Sequence, residues 1–327
     1  MSWEEVRVRL DDAIEDTVRS MLKGGELSLP VPRQGGTARR WAALAGWGRS
    51  NLAVARLAEG HVDAVAILVE AGLLAEADAL YGVWAARPGG VGVELVTDEH
   101  GRSRVHGSAR FCSGARILDR ALVVAATAEN GSAPVLVEVE LDRASAHPDP
   151  DSWRAAAMAG SDTLEVEFDG VPVDRVVGAP GWYTERPGFV AGGGGVASVW
   201  WGGAAGLVER TFGLVAGAEP DPHKLAHLGE LHALLAATHA LLRDTANELD
   251  ATPGADHRVA VASVRCAVER LCRETVDRVP RILGPAFWSA DGELAGQLAD
   301  LQMYVRQHHG ERDHAALAAA VLRERGR

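Results

Sequence analysis

Apolar positions along the chain fall into three regimes. Over residues 2–22, Val6, Leu10, Ile14, Val18 and Met21 or Leu22 recur every three to four positions, the spacing of an amphipathic helix, and Gly24-Gly25 ends it. After a loop with Pro30, Pro32 and Gly35-Gly36, Thr37 is the N-cap of a helix through Leu44, and a further helix begins at Asn51. Gly60-His61 interrupts that pattern, which resumes over 62–71, and 73–84 closes the helical portion. The period then drops to two over 91–96, 105–126, 134–141 and 163–173, with turns at 98–101, Asn130-Gly131 and Asp169-Gly170 between the short runs. Beyond Arg186-Pro187-Gly188 the helical period returns, over about 196–215, 222–249, 257–283 and 291–307. The pattern predicts an α+β chain: an N-terminal helical domain (1–86), a barrel-like β-domain (87–180) and a C-terminal four-helix bundle (181–327).

Residues 105–126, VHGSARFCSGARILDRALVVAA, stand out within the strand-rich part. The strand pattern breaks at Gly107, resumes through Arg110 and Phe111, turns at Ser113-Gly114-Ala115 and starts again at Arg120. Small residues then sit at the mouth of a hairpin-like unit, where a flat ligand can approach backbone. A second stretch alternates over 163–168, and Asp169-Gly170 turns it into another short strand.

Together the two stretches resemble the β-domain of the acyl-CoA dehydrogenase superfamily. Gly107, Phe111, Ser113 and Ala115 fall on its pattern G-x-K-x-[WF]-[IC]-[TS]-[NG]-[GA], and Ser161, Val166, Phe168, Asp169, Val171 and Val173 fall on T/S-x-x-V-x-F-D-x-V-x-V. The resemblance implies the same order of parts and FAD lying against Phe111, Ser113, Gly114 and Ala115. It implies an oxidoreductase acting at the CH–CH bond of an acyl thioester, on CoA or a carrier protein, in a homodimer or tetramer.

The departures are as informative. Trp84-Ala85-Ala86-Arg87-Pro88-Gly89-Gly90 replaces the family's Thr-Glu-Pro-x-Ala-Gly-Ser-Asp loop. Abstraction of a proton beside a carbonyl needs a base, usually a carboxylate in an apolar pocket. At one of the family's two base locations stand Phe189-Val190-Ala191 and four glycines; at the other, alignment on Gly310 puts His309 at the glutamate and Glu311 two residues away. The loop that approaches a neighbouring subunit's dinucleotide reads Ile282-Leu283-Gly284-Pro285, where the proline removes a donor and restricts the backbone. Glu209-Arg210-Thr211-Phe212-Gly213 is an imperfect counterpart of the phosphate-contacting Arg-x-x-Phe-Gly. Two alternatives follow: a flavin-dependent monooxygenase of the same superfamily, in which reduced flavin meets oxygen and no α-proton base is needed, or a non-catalytic subunit that partners a related chain.

Charge and cysteine usage narrow the field. A formal net charge of -12 over 327 residues argues against nucleic acid. Three cysteines suit neither a disulfide framework nor a four-thiolate zinc site, and imply a reducing, cytoplasmic setting. No apolar run reaches membrane-span length, and the acidic N-terminal residues do not read as a signal peptide. The run from His308 to His314 reads as a polar helix end suited to a C-terminal dipole, or as a ligand-contacting segment; its spacing matches no metal motif. His223 and His227, four apart but with no glutamate between them, read as packed or surface residues, and no metal site is expected.

Overall fold

Three helices open the chain: α1 (Trp3–Lys23), α2 (Thr37–Ser50) and α3 (Leu52–Glu70). This computed structural model describes residues 3–87, 90, 92–127, 133–142, 144–216 and 221–326, with the backbone alone for 3–12 and Phe287. The Pro88-Gly89 step, the Asn130-Gly131 turn and the side chains of Val6 and Leu10 lie outside the described residues. The chain divides into two compact units. One comprises Met1–Leu29, Arg56–Ala155 and Ala159–Phe189; the other comprises Pro30–Ala55, Ala156–Met158 and Val190–Arg327.

The first unit is built on an eight-stranded sheet: β1 (Tyr81–Trp84), β2 (Val93–Thr97), β3 (Ser103–Cys112), β4 (Arg120–Thr127), β5 (Val135–Glu140), β6 (Ala146–Asp149), β7 (Leu164–Pro172) and β8 (Arg175–Val177). The order is β6-β7-β3-β2-β4-β5-β8, and β1 lies parallel to β4 alongside β2. Two expectations change. β3 and β4 do not form a hairpin, because β2 pairs with both and separates them. β7 runs unbroken through Asp169-Gly170, since Gly170 takes φ +71 within the strand and the pairing with β3 absorbs the irregularity as a register shift at Val105/His106.

The segment 73–84, expected to be helical, instead leads into β1. Its strand conformation is imposed by partners on every side. Leu80 N–H donates to Asp119 Oδ2 at 2.7 Å, Tyr81 N–H to His61 Nδ1 at 3.2 Å, and Tyr81 Oη to Glu138 Oε1 at 2.8 Å. A buried N–H left without a partner costs about 1–3 kcal/mol, which outweighs intrinsic propensity. For the same reason α3 does not break at Gly60-His61. Gly60 brings the helix to within 4.0 Å of Gly82 Cα, measured from where a Cβ would stand, and His61 satisfies the strand's edge. Ala64, Ile67 and Leu68 of α3 pack on Tyr81, Leu122, Leu136 and Val177 to form this unit's core.

The second unit gathers α2 with α5 (Pro187–Val215), α6 (Pro222–Ala251), α7 (Arg258–Leu283), α8 (Pro285–Ala290), α9 (Gly292–Tyr304) and α10 (Glu311–Arg325). α4 (Trp182–Glu185) is a single turn before α5. Pro222 follows the N-cap Asp221, whose side chain accepts from the His223 and Lys224 N–H groups and fixes the start of α6. The glycine-rich α5 makes close helix contacts: a Cβ at Gly202 would lie 2.0 Å from the Ala45 carbonyl oxygen, and one at Gly206 would lie 2.5 Å from that of Arg49. Gly48 of α2 reciprocates, 2.2 Å from the Val199 oxygen by the same measure. Gly194 lies inside the helix, where the Trp41 ring occupies the place of its side chain. The short α4 and α8, together with α10, lie outside the expected helices, and among the described residues no helix is long and apolar enough to cross a membrane.

Two outcomes follow. Gly202→Ala drives a methyl into backbone that cannot yield and is expected to cost about 3 kcal/mol by urea denaturation, whereas Gly229→Ala, exposed on α6 with open space around it, is expected to gain up to about 1 kcal/mol. Burial pushes the His61 imidazole down to about 4 from 6.5. The native state therefore keeps it neutral while the unfolded chain takes up a proton, and the associated stability is complete above pH 6.5 and lost as the pH falls toward 4, roughly 3 kcal/mol in all. Between pH 7 and 5 the wild type should lose about 2 kcal/mol more stability than His61→Asn; equal losses contradict this assignment.

Candidate functional site

At the end of β3 the backbone departs from regular strand geometry: a register shift separates Ala109 from Cys112, and Phe111 takes φ +62. The irregularity turns the Phe111 ring outward, 50% exposed, with the Arg110 guanidinium carbon 5.4 Å from the ring centroid. Two residues on, Ser113 is buried. Its carbonyl oxygen accepts from Trp84 Nε1 at 3.0 Å, and its hydroxyl lies 3.1 Å from Arg56 Nε and 2.8 Å from Thr163 Oγ1. A serine hydroxyl has one donor and two acceptor positions. With Arg56 donating and Thr163 as the second partner, one position is left for a ligand.

The Ser113-Gly114-Ala115 turn is fastened from behind. Gly114 and Ala115 N–H groups donate to the Ser161 and Asp162 carbonyls, and the buried Asp162 carboxylate accepts from the Arg116 N–H at 2.6 Å and from Arg116 Nε at 2.7 Å. Gly114, at φ +73, has Leu118 and Leu57 side-chain atoms 2.8 and 3.0 Å from where its Cβ would stand, so any larger residue lifts the turn off α3. Ser161 bonds to Thr163, which carries the hydroxyl chain back to Ser113. Behind Ser113 lies a cavity of about 10 Å³ lined by Arg56, Gly60, Gly82, Trp84 and Leu118, about the size of one water. Arg56 also pairs with Glu59 one turn on. The wall thus combines an outward aromatic face, a fastened turn of small residues and a buried cation.

Phe111, Ser113, Gly114 and Ala115 are therefore contiguous, while Cys112 between them is buried and its thiol is pushed well up by burial. The remaining expected residues belong to the other unit. Ile282 is buried at the end of α7 and Leu283 packs partly against its core; Gly284, at φ +76, closes the helix by donating to the Pro280 carbonyl. Pro285 opens α8, where a missing N–H goes unmissed. Arg210 is held at the start of α9 by Asp291 and Glu293, at 2.8 and 3.1 Å. His309 and Glu311 are both exposed at the start of α10, not in an apolar pocket, so the run read as a helix C-terminus precedes and opens a helix.

Sequence reasoning missed Trp84, Arg56 and Glu59. Trp84 was assigned to a helix, and Arg56 and Glu59 look like ordinary helix polar residues; their burial, at 16% and 9% side-chain exposure, comes only from tertiary packing.

No family model and no curated protein matches the sequence. Solved structures do share the fold. TdsC from Paenibacillus sp. A11-2, a dibenzothiophene monooxygenase, in its complex with FMN and indole gives a TM-score of 0.78 at 20% identity over 98% of this chain and 96% of that one. Methanesulfinate monooxygenase MsuC from Pseudomonas fluorescens gives 0.78 at 17% identity over 99% and 97%. KijD3 in complex with FMN and dTDP-3-amino-2,3,6-trideoxy-4-keto-3-methyl-D-glucose gives 0.79 at 19% identity over 97% and 90%. The fold is mixed α+β with neighbours of the acyl-CoA dehydrogenase-like type. FMN in these complexes overturns the expectation of FAD.

Asp162→Ala removes both acceptors of the buried Arg116 contacts and is expected to cost about 2 kcal/mol, because Arg116 keeps partial access to water. Faster hydrogen exchange at Gly114 and Ala115, measured by mass spectrometry, should accompany the loss; unchanged exchange there contradicts the fastening role.

Proposed function

We propose that this chain is an FMN-dependent monooxygenase that acts with reduced flavin and molecular oxygen on a small organic substrate. The single observation that carries the reading is the fold likeness, over nearly the whole chain, to flavoenzymes named as monooxygenases. The exposed positions of His309 and Glu311 support it: neither is the buried carboxylate that removal of an α proton calls for.

The residues present fit an isoalloxazine on three counts. Phe111 offers an exposed aromatic face, Ser113 has one hydrogen-bonding position left, and the Ser113-Gly114-Ala115 turn is held rigid by Asp162. When bound, reduced FMN supplies two electrons, so that one atom of O2 enters the substrate and the other leaves as water. Phe111 would hold the ring with its exposed aromatic face. Ser113 would supply a hydrogen-bonding partner, and the Arg56 guanidinium, joined to the Ser113 hydroxyl, would favour negative charge on that side of the wall. Trp84, tilted on Phe168 at 6.3 Å, backs the wall and holds the Ser113 carbonyl in place.

The decisive experiment combines flavin titration with oxygen uptake. FMN should quench its own fluorescence on binding with a dissociation constant at least tenfold below that for FAD. Phe111→Ala should weaken FMN about tenfold, about 1.4 kcal/mol, with the melting temperature unchanged because the ring is half exposed. Externally reduced FMN should support oxygen uptake. Reduction of an artificial acceptor by an acyl-CoA without oxygen uptake would restore the dehydrogenase reading.

A further inference from the structure

A second cluster lies within the helical unit. Cys266 on α7 and His308 in the turn before α10 are 42 residues apart in sequence, yet Cys266 Sγ is 3.4 Å from His308 Nε2. His314, in the first turn of α10, completes the group, and one donor atom from each of the three lies within 4.8 Å of the others. Both Cys266 and His308 are buried and His314 is exposed. The Asp313 carboxylate is 4.0 Å from His308 Nε2.

We infer that Cys266, His308 and His314, with Asp313 as the fourth donor, form a site for one zinc ion that clamps α10 to α7. Tetrahedral zinc with ligand distances of about 2.0–2.3 Å holds neighbouring donor atoms about 3.3–3.6 Å apart. The Cys266–His308 separation already meets this, and the exposed His314 closes the remaining ångström or so by rotating its side chain. A thiolate, two imidazoles and a carboxylate are a zinc donor set, and the two negative ligands balance the ion's charge.

Three further features agree. The His314 Nδ1 lies 3.1 Å from the Gly310 carbonyl, the arrangement that fixes Nδ1 as donor and leaves the Nε2 lone pair for a metal. Glu269, one turn beyond Cys266 on α7, is buried with Oε2 lacking a hydrogen-bond partner, and its negative field reaches both Cys266 and His308. α10 buries none of its side chains fully; Leu317, Ala320 and Val321 are only half-buried, so its apolar anchorage is thin.

Binding rearranges two hydrogen bonds, the Cys266–His308 contact being replaced by the metal. His308 Nδ1 accepts from the Gly310 N–H at 3.1 Å, which puts the imidazole proton on Nε2, facing Cys266. Zinc at Nε2 moves that proton to Nδ1 and releases the thiol proton to solvent, and the Gly310 N–H turns to water. Gly310 permits this: it is half-buried, at φ +54, with open space where a Cβ would stand.

The test uses the full-length chain stripped with EDTA, titrated with Zn²⁺ by calorimetry and with Co²⁺ by absorption. One ion per chain and a thiolate-to-cobalt charge-transfer band are expected. Cys266→Ser should abolish the band, His314→Ala should weaken zinc at least tenfold, and the exposed His223→Ala should leave both unchanged. His314→Ala removes no buried contact, so the test survives if Cys266→Ser fails to fold. Zinc should also slow hydrogen exchange across α10. Absence of the band, or zinc binding indifferent to His314→Ala, overturns the site; binding without slower exchange overturns the clamp.

Discussion

The docking of the four-residue strand Tyr81–Trp84 between α3 and β4 is the constraint on which the first unit depends. Three of its residues each answer a separate demand. Tyr81 takes its N–H to His61 and its hydroxyl to the buried Glu138, which also receives Arg120 and Arg175. Burial works to raise the Glu138 carboxyl, and the bonds from Arg175, Tyr81 and Arg120 together hold it below the usual range, so it stays ionised in the sheet. Burial and Glu138 in turn push the Tyr81 hydroxyl up to about 12, which keeps it a donor. Gly82 lets Leu118 and α3 close in. Trp84 ends the strand by donating to the Ser113 carbonyl, and so ties the sheet to the Ser113-Gly114-Ala115 turn.

The second unit depends on a different device, backbone against backbone. Gly202, Gly206 and Gly48 remove the side chains that normally keep two helices apart, and Trp41 fills the gap left at Gly194. Burial of a large ring in a glycine notch makes the helix pair a fixed surface. Trp200, wholly buried beneath Tyr304 and Arg265, extends it.

Much of this was legible in the chain. Period located α2, α7 and β5, and a cap located α6, where Asp221-Pro222 gives an unambiguous start; at α2 the N-cap is Gly36, and Thr37, expected to cap, is the first helical residue. The stretch 105–126 drew notice through its small residues, and the structure explains them by the φ values of Gly107, Phe111 and Gly114. The errors share a cause. Residues 73–84 have helix-forming composition, and only partners remote in sequence, His61, Asp119 and Glu138, make part of them a strand. Local pattern likewise pairs β3 with β4, because nothing between 113 and 119 records that β2 lies between them. Arg56 escaped for the same reason, and so did the approach of Cys266 to His308: their neighbours are set by topology, not by spacing.

The central claim is that an outward aromatic and a fastened turn form one wall for an isoalloxazine. Hydrogen exchange of the chain with and without saturating FMN, resolved by peptide, tests it most directly. The account predicts slowed exchange across Arg110–Ala115 and 161–163 when FMN is bound. Saturable FMN binding that leaves both segments unprotected would contradict it.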